Sequence, residues 1–160
     1  MIKPILLYGS TVWISCSKEN IMKVFKLQKR VARVIMDADT KSNSVRLFKS
    51  LGWIPFFDEA WINRLTLIHN SLYRGCPAYM SQTILRNADI NERVTRHGLK
   101  NIVCPRFKRE SEGRRSFTIS SIRFWNSLPN GLKTLQGLTT FKKATFQWQI
   151  KDIDHFSFDF

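Results

Sequence analysis

Lys18, Lys23, Lys26, Lys29, Arg30 and Arg33 are spaced so that on an α-helix all six fall within an arc of roughly 140° at about 100° per residue. Only Glu19 stands close enough to offset them. Exposed helix faces normally mix the two signs, so this arc points to contact with a polyanion rather than to an ordinary solvated face. Its natural ligands are phosphate oxygens, which position a protein on nucleic acid and carry little sequence information. A second basic set lies between residues 86 and 116: Arg93, Arg96, Lys100, Arg106, Lys108, Arg109, Arg114 and Arg115. There the arginines could grip a backbone while Phe107 or Phe117 stacks on an unpaired base. The basic composition of the whole chain explains this second set equally well.

Catalytic constellations are missing from the sequence. Asp37 and Asp39 form an Asp-x-Asp pair of the kind that can hold a divalent cation, but Lys41 is beside them and no third carboxylate is near. His69, His97 and His155 are far apart, and Cys16, Cys76 and Cys104 lack the close spacing of a zinc site. Cys76 and His97 have no recognisable local setting for a thiol nucleophile, and a structural cysteine is the commoner case. Glycine-rich phosphate loops are absent. The sequence therefore predicts no catalytic residue, no metal, no cofactor and no enzyme in this chain by itself.

The composition agrees with the basic face. The chain has 160 residues, with 26 Lys and Arg against 12 Asp and Glu, for a formal charge of +14. Its surface should attract polyanions, nucleic acid first. An anionic membrane surface could use the same charge, but no apolar run approaches the ~18 residues of a spanning helix. The stretch from Lys3 to Cys16 loosely imitates a secretory signal, yet Pro4, Gly9, Ser10 and Thr11 interrupt it. Three widely spaced cysteines suit a reduced intracellular compartment.

The elements that must position these residues read as mainly α. The expected fold is a single helical domain of about five helices over residues 1–151, with a basic loop at 86–116 and an acidic-aromatic tail at 152–160. Ser17 can cap a helix running to about Met36. Opposite its cations lie Ile21, Val24, Phe25, Leu27, Val31, Ala32, Val34 and Ile35, an apolar side expected to be buried. A short helix can start at Ser44, turn Val45, Leu47, Phe48 and Leu51 inward, and end at Gly52. Pro55 fits the first turn of a central helix with Phe57, Trp61, Leu65, Ile68 and Leu72 in a stripe. Gly75 and Pro77 end it. Asn101 to Cys104 and Arg115 to Thr118 could pair as a short hairpin within the basic loop, although Pro105 limits its regularity. A further helix fits Phe117 to Leu128, before Pro129, and Thr139 or Thr140 can cap a last one through Ile150. Trp53, Trp61, Trp125 and Trp148 all fall where a helix needs an apolar face, so core packing explains them best.

Several words of the sequence occur together in a familiar order. They are Pro4-Ile-Leu-Leu-Tyr8-Gly-Ser-Thr-Val-Trp13, Leu27-Gln28-Lys29-Arg30-x-Ala32-Arg33, Leu47-Phe48 with Leu51-Gly52-Trp53-Ile54-Pro55, and Pro77-Ala78-Tyr79. Then follow Thr95-Arg96, Val103-x-Pro105-Arg106, Trp125-Asn126-Ser127-Leu128-Pro129 and Phe141-Lys142-Lys143. Over residues 2–150 this order resembles the region after the polymerase domain in non-LTR, LINE-type retrotransposon reverse transcriptases. The resemblance implies a thumb and its helical extension, which lie against template and growing DNA. It implies holding rather than polymerising, because the family's Tyr-x-Asp-Asp or Phe-x-Asp-Asp word is absent, as are an endonuclease domain and the terminal zinc-knuckle cysteines of some relatives.

The expected function is binding of nucleic-acid backbone, with RNA–DNA hybrid preferred and DNA or RNA alone also bound, largely without regard to sequence. The residues expected to carry it are Lys23, Lys26, Lys29, Arg30 and Arg33, with Arg96, Arg106, Arg109, Arg114 and Arg115 secondary. An upstream polymerase domain is a further expected partner, a membrane is not, and a nuclear location follows from the ligand. The rival readings are a protein-interaction module, a helix-turn-helix-like DNA reader and an inert mobile-element fragment. Against the second, the linker from Asp37 to Asn43 is long and the third helix is expected to be buried.

Overall fold

The computed structural model describes residues 3–90, 100–106 and 116–152. Among them the chain is mainly helical, with ten helices and one isolated antiparallel bridge, Arg86 with Ile102. The described residues of 1–61 and 146–160 form one compact unit, and those of 62–145 form another.

The first unit contains α1 (Lys3–Leu7), α2 (Ser10–Trp13), α3 (Lys18–Ile35) and α4 (Ser44–Leu51). It also contains the start of α5 (Phe56–Arg74) and the end of α10 (Leu138–Asp152). Asn43 begins α4 by accepting a hydrogen bond from the Val45 N–H at 2.9 Å, satisfying one of the orphan donors of the first turn. Gly52 ends α4 with φ 61°, and the Trp53 N–H closes on the Phe48 carbonyl at 2.8 Å. A left-handed residue at this point is why glycine stands there.

Aromatic rings fill the middle of this unit. Phe25 meets Phe48 at 5.9 Å and Phe57 at 5.2 Å between centroids, both edge-on, and Trp13 stacks on Phe56 at 5.5 Å. A polar residue is buried among them. The Gln28 Nε2 donates to the Ile54 carbonyl at 3.0 Å while its Oε1 accepts from the Phe56 N–H at 2.8 Å, which ties α3 to the turn before α5. The Asp58 Oδ1, also buried, accepts from the Gln149 Nε2 at 2.9 Å and so joins the start of α5 to the end of α10.

The apolar side of α3 is buried less widely than the sequence suggests. Phe25, Gln28 and Ala32 are buried, whereas Leu27, Val34 and Ile35 are exposed. Gln28 is the physical reason: its two backbone bonds point that edge of the helix inward and turn the Leu27 and Val34 edge outward.

The second unit has the rest of α5, α6 (Ala78–Thr83), α7 (Asn87–Ile90), the segment 100–106, α8 (Phe117–Ser127), α9 (Asn130–Lys133) and the start of α10. Leu65, Ile68, Ile102, Ile122, Trp125 and Phe141 are buried in it. Of the four tryptophans expected in the core, Trp125 is buried and Trp53, Trp61 and Trp148 are half-buried.

Three basic side chains are buried among these apolar groups. The Arg64 Nη1 donates to the Ser120 Oγ at 2.8 Å, and its guanidinium lies over the Phe117 ring. His69 stacks on Phe141 at 4.5 Å with its Nε2 against the Leu135 carbonyl at 2.7 Å. The Lys133 Nζ donates to the Asn101 Oδ1 at 2.9 Å and to the Asn126 carbonyl at 2.7 Å.

Among the described residues the expected hairpin is not formed, and its Arg115 lies outside them. Ile102 pairs with Arg86, and Phe117 and Thr118 open α8 because the Ser116 Oγ accepts from the Ile119 N–H as a helix cap. Asn87–Ile90 inside the expected basic loop is helical as well. The acidic-aromatic tail beyond Asp152 and the loop residues 91–99 and 107–115 lie outside the described residues.

Candidate nucleic-acid interface

The six cations of α3 share a face because the buried Phe25, Gln28 and Ala32 fix which way the helix turns. Lys18, Lys23, Lys26 and Arg30 are exposed, while Lys29 and Arg33 are half-buried. The Lys29 ammonium lies 4.6 Å from the Phe25 ring centroid. Burial first, and then the positive charges of Arg33 and Lys26, push the Lys29 pKa below its ordinary value. An anion bound there would relieve this repulsion between like charges.

Three of the five primary candidates come together in one place. Lys26, Arg30 and Arg33 line a cleft of about 620 Å³ with Val34, Asp37, Ala38 and Thr40. The Arg33 Nε is buried without a hydrogen-bond partner among the described residues. Lys23 and Lys29 are not among the cleft's lining residues; they extend the basic face along the helix.

The floor of the cleft is the end of α3. Asp37 has φ 47°, the Ala38 N–H donates to the Arg33 carbonyl at 2.9 Å, and the Asp37 N–H donates to the Val34 carbonyl at 3.3 Å. This is the helix-ending pattern usually built on glycine, with aspartate in the left-handed position. It satisfies the last carbonyls of α3 internally and sets one carboxylate among three cations. The Asp39 Oδ1 accepts from the Thr40 N–H at 2.6 Å and from the Thr40 Oγ1 at 3.1 Å. Among the described residues no group of three or more His, Cys, Asp or Glu is placed to hold a metal.

Of the secondary candidates, Arg106 is exposed in the second unit. Arg96, Arg109, Arg114 and Arg115 lie outside the described residues, as does His97 of the Cys76 and His97 pair. Cys16, Cys76 and Cys104 are free thiols. No helix among the described residues is long and apolar enough to cross a membrane.

Sequence reasoning named the cations of the cleft but missed Asp37 and Thr40 as part of it. Their signal was the break in apolar period after Met36, which shows where a helix stops but not which cavity its ending encloses.

No protein-family model, curated protein or solved structure matches the chain.

Proposed function

We propose that this chain binds nucleic-acid backbone through the basic face of α3, with Lys26, Arg30 and Arg33 seating a phosphate in the cleft and Lys23 and Lys29 holding its neighbours. The observation that carries the reading is the convergence of three cations on one cleft, next to a lysine whose charge is already opposed by burial and by its neighbours. RNA–DNA hybrid is the preferred ligand in this reading, with DNA or RNA alone bound more weakly. That preference, and the place of the chain as a thumb-like region following the polymerase domain of a non-LTR retrotransposon reverse transcriptase, rest on the sequence words quoted above. The chain grips rather than polymerises. An upstream polymerase domain is then its natural neighbour, and a nuclear location follows from the ligand.

Fluorescence anisotropy with RNA–DNA hybrid, duplex DNA and single-stranded RNA at several salt concentrations tests it. Affinity should fall linearly on a logarithmic salt scale, and each of Lys26→Ala, Arg30→Ala and Arg33→Ala should reduce that slope by about one. A folded, monomeric sample that binds none of the three ligands at low salt overturns the reading.

A further inference from the structure

Beside its basic face α3 carries a second surface. Val24, Leu27, Val31 and Val34 recur at intervals of three, four and three residues, with Ile35 next to the last. This is the spacing of a coiled-coil seam, with β-branched residues at one type of position and Leu and Val at the other. Leu27 is 56% exposed, Val34 75% and Ile35 52%; Val31 is half-buried, and Val24 is half-buried because it packs against the aromatic core of the unit, so Leu27, Val34 and Ile35 form the open part of the row. Scattered apolar side chains on a surface need no explanation, but a contiguous row in helical register marks an interaction site.

Charge decides what fits. At 100° per residue Lys23 and Arg30 border the row on its basic side, and neither has an ion-pair partner among the described residues. The other border is the buried edge at Gln28. A second copy would bring an equally basic surface to this one, on a chain that already carries +14. We infer that the row docks one amphipathic helix of another protein, whose own apolar seam is flanked by Asp or Glu on the side that meets Lys23 and Arg30. Such docking shares Lys23, Arg30 and the cleft-lining Val34 with the proposed nucleic-acid interface, so the two ligands compete at those residues, whereas Lys26 and Arg33 serve the cleft alone.

The test uses the full chain and two labelled three-heptad peptides with Ile and Leu at the seam, one with Glu and one with Lys at the flanking positions. The Glu peptide should bind roughly tenfold more tightly than the Lys peptide. Leu27→Ser with Val34→Ser, which leaves the charge unchanged, should abolish binding of the Glu peptide. Lys23→Glu with Arg30→Glu should invert the preference between peptides. Circular dichroism checks that each variant keeps its helices. Failure of the Glu peptide to bind, equal binding of both peptides, or indifference to the serine variant overturns the inference. So does sedimentation showing that the chain alone dimerises through Leu27 and Val34, which would assign the row to a second copy. Nucleic-acid affinity of the Lys26→Ala and Arg33→Ala variants, away from the row, reports on the proposed function separately.

Discussion

The side-chain amide of Asn126 holds the backbone of Ile102 from both ends: the Ile102 N–H donates to the Asn126 Oδ1 at 2.8 Å, and the Asn126 Nδ2 donates to the Ile102 carbonyl at 2.9 Å. One side chain at the end of α8 thus supplies the two bonds that a neighbouring strand would otherwise give. Asn126→Ala should lower unfolding free energy by about 2–3 kcal/mol, since it strands one buried donor and one acceptor. Asn126→Asp should also destabilise, because its carboxylate faces the Ile102 carbonyl without a donor. Urea titration measures both losses, and faster exchange of the Ile102 amide would localise them.

Asp58 makes the first unit sensitive to pH. Burial pushes its carboxyl up to about 7, with the Gln149 hydrogen bond pulling the other way. The folded chain therefore keeps a proton that the unfolded chain, at the ordinary 3.8, releases. Stability on this account falls as pH rises from about 3.8 to about 7 and changes little above, by an amount on the order of 4 kcal/mol. Asp58→Asn, which keeps an acceptor for Gln149, should remove this slope and be the more stable protein at pH 8. Denaturant unfolding of both proteins across that range checks it, and parallel curves would refute it.

His69 acts in the opposite direction. Burial lowers its pKa below 6.5, the Leu135 hydrogen bond raises it and the Arg74 charge lowers it further. Its Nδ1 is enclosed without a partner among the described residues, so protonation would place a second, unsatisfied donor inside the unit. The stability it contributes is present above pH 6.5 and lost as pH falls below that value towards the folded pKa. The imidazole resonances of His69, followed by NMR, should titrate with a midpoint below pH 6.5. A midpoint at or above the ordinary value would refute this.

Asp37 opposes the cations of the cleft. Asn tolerates the left-handed conformation found there and removes the negative charge. A unit charge about 6 Å from a phosphate in a water-rich site is worth roughly 0.7 kcal/mol. Asp37→Asn should therefore tighten nucleic-acid binding by about threefold at low salt, with the gain shrinking as salt rises. Anisotropy titration of the two proteins gives the ratio, and unchanged affinity would place the ligand elsewhere.

The helices were largely legible where their signals are local. Gly52 and Pro129 mark helix ends through their own backbone chemistry, and the stripe of α5 places Leu65 and Ile68 in the core as expected. The buried polar side chains were not legible. Arg64 finds Ser120 across 56 positions and His69 finds Leu135 across 66, and no local pattern announces partners so distant in sequence. The width of the buried edge of α3 was hidden for a similar reason. Apolar periodicity gives a helix a preferred side, but the two backbone groups that Gln28 reaches lie 26 and 28 residues away. The cations of the cleft were legible as a face, and their convergence was not, because the turn at Asp37 that closes the cavity depends on backbone angles.

Gln28 also works as a keyway. A helix resting on methyl and phenyl groups alone can roll in its seat, and a roll of about 20° swings side-chain ends ~6 Å from the axis by ~2 Å. An amide that must reach the Ile54 carbonyl and the Phe56 N–H together admits one azimuth. Lys26, Arg30 and Arg33 are thus aimed from the inside of the protein by a buried residue. Gln28→Leu would keep most of the volume, strand the Ile54 carbonyl and the Phe56 N–H without partners, and release the cations from a single fixed angle.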